Sequence, residues 1–120
     1  MRLLNEMYSI VGGDDDNIQI RLHPQHFIYQ AHFPGMPITP GVCLIQIVGE
    51  LLERRLAMRL KLSEVVNLKF LALIKPFDNP LITVCLQSVD VSADGCHAKG
   101  IFKDGDEITT KFSIKYISAE

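Results

Sequence analysis

Hydrophobic and polar residues alternate with a period of two from Asn17 to Leu22. Three apolar side chains share one face of this segment, and Gln19 and Arg21 share the other. A period of two is typical of a strand with one buried face, so a strand is predicted here. The glycine and aspartate run before it, Gly12 to Asp16, predicts a turn.

A helical pattern follows. Thr39 is the predicted N-cap and Pro40 the first helical residue, because each residue type favours that position. Val42 to Val48 is apolar on every side except at Gln46, and charges return on one side from Leu51 to Leu60. This pattern predicts a helix of about twenty residues. Its first half should be covered on all faces, and its second half should emerge to water.

Only strand patterns follow this helix. Apolar and β-branched runs occupy 65–74, 81–91, 96–102 and 107–117, with Asp-Gly turns at 94–95 and 104–105. In the last run the residues predicted to face inward are Ile108, Thr110, Phe112, Ile114 and Tyr116. One buried helix followed by an antiparallel meander predicts an α+β fold with the sheet wrapped around the helix. Such a sheet leaves an edge strand free to pair with a second copy.

The segment between strand and helix carries the candidate chemistry. It holds four prolines between His23 and Gly41, so a regular helix cannot run through it. His32 has a stiff backbone in apolar surroundings, which suits a general base. The amides of Gly41 and Val42 begin the helix, where free N–H groups polarise a carbonyl oxygen. Gln46 needs polar partners. A structural histidine and a core glutamine are the alternative readings of these residues.

Composition narrows the classes of function. The 120 residues are predicted to form one domain, 1–120. Twelve basic and fourteen acidic residues give a net charge of −2, which argues against a nucleic-acid partner. No apolar run is long enough for a membrane helix, and the N-terminus lacks an export pattern. A cytoplasmic protein is therefore expected, with its three cysteines reduced and largely buried.

One motif resembles a known family. Residues 31–42 read Ala-His-Phe-Pro-Gly-Met-Pro-Ile-Thr-Pro-Gly-Val, which is similar to the Gly-His-Phe-Pro-Gly-x-Pro-x-x-Pro-Gly-Val hallmark of the 3-hydroxyacyl-(acyl carrier protein) dehydratases. A weaker match runs from Asn67 to Pro76, although Phe77-Asp78-Asn79 replaces the family's glycine after that proline. The family adopts the hotdog fold, which agrees with the pattern described above.

The resemblance implies elimination of water from a 3-hydroxyacyl thioester. At the matching positions of this chain, the resemblance implies that His32 removes the proton at C2 and that the Gly41 amide holds the thioester oxygen. It also implies that the substrate site is lined by Phe33, Pro40 and Val42. It also implies a homodimer with composite sites, while higher oligomers and heterodimers stay open. The partner is acyl carrier protein, whose phosphopantetheine arm arrives with the substrate. No metal and no cofactor are expected, because removing water changes no oxidation state.

The sequence differs from the family at the position of the acidic residue. The family places an acidic residue fourteen positions after the histidine, on the helix of the other subunit, and commonly a glutamine one turn later. Here the first of these positions holds the glutamine, Gln46, and the second holds the acidic residue, Glu50. The two residues lie on one helical face. A similar helix occurs in dehydratase-like proteins of aryl-polyene and flexirubin-type pigment pathways.

Three accounts of this exchange stay open. Glu50 acts as the acid, His32 makes both proton transfers, or dehydration is lost. A non-catalytic acyl-carrier-binding hotdog subunit and a hotdog thioesterase are therefore the alternative functions.

Other candidate residues have weaker patterns. His23-x-x-His26 lacks the usual zinc spacing, although His26 could line a pocket. Cys43 is predicted to be a small core residue. The basic residues late in the helix form a solvated face or meet an acidic carrier protein; they are Arg54, Arg55, Arg59 and Lys61.

Overall fold

Six strands and two helices make up the fold in the computed structural model, which describes residues 2–119. The strands are β1 (Tyr8–Gly13), β2 (Asn17–Leu22), β3 (Leu60–Phe70), β4 (Leu81–Ser92), β5 (Gly95–Asp104) and β6 (Glu107–Ser118). The helices are α1 (Phe27–Ala31) and α2 (Gly41–Leu56). The strand predicted at 17–22 is confirmed, and β4 to β6 lie within a few residues of their predicted bounds.

The strands form one antiparallel sheet in the order β1-β2-β4-β5-β6-β3. β4, β5 and β6 form a meander, but β3 pairs with β6 rather than with β4. The prediction of one continuous meander after the helix is therefore wrong for β3. Each end of the sheet has an open edge, formed by β1 at one end and β3 at the other.

Helix α2 packs against the inner face of this sheet. Its buried side chains join those of the strands in one core cluster, to which the helix contributes Cys43, Leu44, Ile47, Val48, Leu51 and Leu52. The hydroxyl of Tyr116 donates to the carbonyl of Ile45 at 2.7 Å. An added Cβ at Gly49 would lie 2.9 Å from the Tyr116 ring, so this glycine allows the close approach. The predicted sheet wrapped around a central helix is confirmed.

The helix is shorter than predicted, and its start differs. Pro40 is the N-cap and α2 ends at Leu56, because Ala57 adopts a left-handed conformation (φ 52°, ψ 45°). The Glu53 carboxylate then accepts the Leu60 amide at 2.9 Å, which fixes the turn into β3. The prediction that the first half of the helix is covered on all faces is wrong at Val42, which is 71 % exposed.

Two strand predictions also need correction. β1 was not predicted, because two glycines end a short segment whose apolar pattern is weak. In β6 the register shifts by one residue beside Phe102, so Thr109 and Thr110 are both buried and Ile108 is 36 % exposed. The Thr109 hydroxyl donates to the Phe102 carbonyl at 3.2 Å, which satisfies it inside the core.

Candidate active site

The loop that carries His32 is closed by backbone hydrogen bonds. The His32 amide donates to the Ile28 carbonyl at 3.0 Å, and the Ile38 amide donates to the His32 carbonyl at 2.9 Å. Between them, Met36 donates to the Phe33 carbonyl at 2.9 Å across a tight turn. Gly35 occupies this turn with φ 82°, a conformation that favours glycine. The turn residues of the motif therefore hold the histidine in place.

A buried hydrogen bond ties the same loop to the core. The Tyr29 hydroxyl and the Thr39 hydroxyl lie 3.0 Å apart, and both residues are buried. The Thr39 amide donates to the Ile74 carbonyl at 2.9 Å. Thr39 thus connects the loop to α1 and to the segment after β3, and it does not cap α2 as predicted. Burial raises the pKa of Tyr29 to about 12, so its hydroxyl keeps its proton.

The imidazole of His32 faces outward. Among the described residues it makes no side-chain hydrogen bond, and its ring lies against Phe33 with centroids 5.3 Å apart. His26 has a different role, because its Nδ1 accepts the Ile28 amide at 3.2 Å and caps α1. Of these two histidines, only His32 presents both ring nitrogens without a partner in residues 2–119.

The start of α2 lies beside a ring from β3. The first amides of a helix have no acceptor within the helix, which leaves the N–H groups of Gly41 and Val42 as potential donors. A Cβ at Gly41 would lie 2.7 Å from Cζ of Phe70. Gly41 is therefore the residue that lets the Phe70 ring rest against the helix end.

The loop, the helix start and β3 all carry exposed apolar side chains. The loop, the helix start and β3 together present Phe33, Met36, Val42, Val66 and Phe70, each at least 47 % exposed. β3 is an edge strand, so half of its backbone groups also lack a strand partner. An apolar surface of this kind beside an open edge is typical of an interface.

Gln46 and Glu50 form one hydrogen-bonded pair, as their helical spacing predicts. Gln46 Nε2 donates to Glu50 Oε2 at 2.7 Å. The Glu50 carboxylate also accepts the Leu3 amide at 2.7 Å, the Leu4 amide at 2.8 Å and the Tyr8 hydroxyl at 2.9 Å. Glu50 is 1 % exposed. Its two oxygens therefore hold the N-terminal segment against α2.

The structure does not bring this pair to the histidine within one protomer. No hydrogen bond joins His32 to Gln46 or Glu50 among the described residues. The pKa of the Tyr8 phenol is raised well above its ordinary range. Burial is the main cause, and the nearby Glu50 carboxylate is the second. The N-terminal partners of Glu50 were not identified from the sequence, because they lie 42 to 47 residues away along the chain.

The remaining candidates fall outside this site. Cys43 is buried, and burial raises the pKa of its thiol. Arg55 donates to the Asp15 carbonyl at 2.9 Å and to the Asp16 carboxylate at 3.2 Å. With Arg54 it occupies the last turn of α2, where cations interact favourably with the helix dipole. Within residues 2–119 no group of three or more His, Cys, Asp or Glu side chains is placed to hold a metal ion.

Comparison with known proteins decides the family. The profile of the ApeI-like family, described as ApeI dehydratase, matches residues 11–100. The chain belongs to the ApeI-like dehydratase family. The predicted resemblance to dehydratases is confirmed by this match.

Curated relatives of this ApeI-like protein are similar at low identity. The 3-hydroxyacyl-(acyl-carrier-protein) dehydratase FabZ of Caldanaerobacter subterraneus subsp. tengcongensis is 27 % identical over 99 residues, covering 77 % of this chain and 69 % of that protein. FabZ of Thermoanaerobacter pseudethanolicus is 27 % identical with coverages of 77 % and 68 %.

Solved structures establish the hotdog fold of the ApeI-like chain. The dehydratase heterocomplex ApeI:P from Xenorhabdus doucetiae aligns with a TM-score of 0.60 at 20 % identity, covering 89 % of this chain and 92 % of that chain. A putative thioesterase from Ralstonia eutropha, a phenylacetic acid degradation-related protein, aligns with a TM-score of 0.60 at 12 % identity, with coverages of 94 % and 86 %. None of the helices in residues 2–119 has the length and hydropathy required to cross a bilayer.

Proposed function

We propose that this ApeI-like protein eliminates water from a 3-hydroxyacyl thioester carried by acyl carrier protein, giving the trans-2-enoyl thioester. The proposal rests on the exposed His32 imidazole, which is carried by a hydrogen-bonded loop that leads directly into the start of α2. The family and the FabZ relatives support this class of reaction.

The reaction needs a base, a site for negative charge and a proton for the departing hydroxide. His32 takes the proton at C2, and the Gly41 amide stabilises the charge on the thioester oxygen. Gln46 cannot supply a proton, since an amide is neither acidic nor basic near neutral pH. Glu50 has its oxygens occupied by four donors. We therefore assign both transfers to His32, which returns the C2 proton to the leaving hydroxyl.

The site is proposed to be completed by a second subunit. Phe33, Val42 and Phe70 are exposed apolar side chains of the loop, the helix start and the edge strand β3, respectively. A hotdog partner seated there would cover them and enclose the acyl chain. Gln46 of the partner subunit would then position the hydroxyl. A second copy of the chain is the simplest such partner.

Particular observations support two alternative functions. The absence of an acidic side chain at Gln46 favours a subunit that binds acyl carriers without turnover, and a solved neighbour is described as a heterocomplex. The thioesterase alternative has a structural neighbour at 12 % identity, which supports the fold only.

A mass assay separates these functions. The purified protein is incubated with 3-hydroxyacyl carrier proteins of several chain lengths, and in parallel with the trans-2-enoyl products. Gain or loss of water in both directions is expected, together with its loss in His32→Ala. The control is His97→Asn, since His97 lies in β5 and is not part of the 31–42 motif. Binding without interconversion would favour the acyl-binding subunit, and release of free acid would favour the thioesterase.

A further inference from the structure

A second histidine is held next to a serine outside the candidate active site. Ser9 lies in β1 and His23 follows β2, diagonally across the antiparallel pair. Ser9 Oγ and His23 Nε2 are 2.7 Å apart, and His23 Nδ1 is 3.0 Å from the backbone carbonyl oxygen of Glu6. The His23 amide also donates to the Met7 carbonyl at 2.7 Å. Both side chains are half-buried, and the histidine is fixed through its backbone and its ring.

These contacts decide which ring nitrogen carries the proton. A carbonyl oxygen only accepts hydrogen bonds, so Nδ1 of His23 must be the donor to Glu6. In the neutral imidazole Nε2 is then the acceptor, and the Ser9 hydroxyl donates to it. A serine hydroxyl bonded to a histidine whose other nitrogen is held by an acceptor is the arrangement of an activated nucleophile.

The chain contains a second serine–histidine contact for comparison. His97 Nε2 and Ser113 Oγ are also 2.7 Å apart. Among the described residues, however, no acceptor lies within hydrogen-bond distance of His97 Nδ1. The two pairs therefore share the serine–histidine distance and differ in the acceptor that fixes the ring.

The surroundings of Ser9 favour small substrates. β1 is an edge strand of the sheet, and the Ser9 and His23 side chains are each partly exposed. Arg21 lies opposite Ser9 in the register and is exposed. Partly exposed side chains on an edge strand can be reached by a small activated ester.

We infer that Ser9 and His23 form a nucleophile–base pair that accepts acyl groups from small activated esters. Ser9 Oγ forms a bond to the carbonyl carbon as the bond to the leaving oxygen breaks. The serine proton passes to His23 Nε2 and then to the leaving alkoxide or phenoxide. Water attacks the Ser9 ester by the reverse route, releasing the acid and restoring the hydroxyl. The inference is independent of dehydration at His32.

A fluorophosphonate probe tests the pair directly. Attack by Ser9 forms an O–P bond and expels fluoride, and the stable adduct is located by peptide mass mapping. Labelling of Ser9 is expected to be about a hundredfold faster than labelling of Ser113, the size of effect typical of a positioned general base. His32→Ala should leave the labelling of Ser9 unchanged, because the pair lies outside the His32 loop.

Two matched substitutions isolate the base. His23→Asn keeps a donor for the Glu6 carbonyl and removes the nitrogen that faces Ser9, so the fold should persist while labelling falls about a hundredfold. His97→Asn should leave Ser9 labelling unchanged. A thermal unfolding curve for each variant checks that it is folded, and Ser9→Ala in the unmodified background checks the site of labelling. Equal labelling of Ser9 and Ser113, or an unchanged rate in folded His23→Asn, would overturn the inference.

Discussion

At the scale of single residues, Glu50 links the N-terminal segment to α2. One carboxylate accepts hydrogen bonds from two backbone amides, a tyrosine hydroxyl and the Gln46 amide. Buried donors that lose their acceptor carry the full cost of their desolvation. Glu50, a candidate acid in the predicted reaction, therefore holds the N-terminal segment in place within the protomer.

Replacing Glu50 by glutamine is expected to destabilise the fold by about 3 kcal/mol. The new amide presents donors to groups that are themselves donors, so at least one buried hydrogen bond is lost. Chemical denaturation measures the change in unfolding free energy. The matched control is Glu64→Gln, whose exposed ion pair with Lys115 at 3.8 Å should contribute less than about 1 kcal/mol. Full stability with loss of dehydration in Glu50→Gln would instead identify Glu50 as a participant in the reaction.

At the scale of elements, the contact between α2 and β3 depends on one missing side chain. Gly41 has no Cβ, and Phe70 occupies the space that a Cβ would take. The Phe70 ring is 54 % exposed and can move outward. The start of α2 and the end of β3 therefore meet at a contact where an added Cβ would displace the Phe70 ring.

A double-mutant cycle measures this contact. Gly41→Ala should lower stability in the parent protein, because the added Cβ displaces the Phe70 ring. In a Phe70→Ala background the same change should be neutral or stabilising, since alanine favours the helix more than glycine. The coupling between the two positions is expected to be about 1 kcal/mol by chemical denaturation. Additive effects of the two substitutions on the unfolding free energy would show that the position of the Phe70 ring does not depend on the missing Cβ of Gly41.

At the scale of the whole molecule, the two open edges of the sheet differ. β3 is eleven residues long and exposes several apolar side chains, whereas β1 has six residues and ends in two glycines. Long apolar edges pair with other chains unless something covers them. The β3 edge is the one on which the proposed second subunit would sit.

Substituting a lysine into each edge strand tests whether the second subunit binds at β3. Val66→Lys is expected to halve the molar mass measured by light scattering, because a charge would be buried in the proposed interface. Val11→Lys is the matched control, since Val11 is 49 % exposed and Val66 is 47 % exposed, and each lies at a register shift. A monomeric parent protein, or equal behaviour of the two variants, would contradict assembly through β3.

The three tyrosines predict how the whole fold responds to alkali. Burial is the main cause that raises the pKa values of Tyr8, Tyr29 and Tyr116, from 10.0 to about 12 for Tyr29 and further for the others. Their contribution to stability is complete below pH 10 and is lost as the pH rises above it, because only the unfolded chain then ionises. Each tyrosine should reduce the unfolding free energy by about 1.4 kcal/mol per pH unit.

Near-ultraviolet absorbance follows this transition, since the chain contains no tryptophan. Phenolate should appear together with the loss of the far-ultraviolet circular dichroism signal, in a single cooperative step. Tyr29→Phe removes one titrating group and should flatten the pH dependence of stability by about 1.4 kcal/mol per pH unit. Phenolate absorbance that appears near pH 10 in a folded protein would show that the tyrosines are accessible to solvent.

Features that depend on residues close together in the chain could be predicted from the sequence. The period-two pattern identified β2, the proline-rich motif located the histidine loop, and the i, i+4 spacing placed Gln46 beside Glu50. Local sterics and side-chain periodicity set these features, so a short window of sequence contains them. The family also follows from one such window around His32.

Features that depend on distant parts of the chain became visible in the three-dimensional structure. Pairing of β3 with β6, the N-terminal donors around Glu50 and the contact of Ser9 with His23 each join segments that no local pattern relates. Val42, predicted to be covered, is exposed because the sheet closes over the other face of α2. Strand order and burial minimise the free energy of the whole chain, and a side chain's partners follow from that packing rather than from its neighbours in sequence.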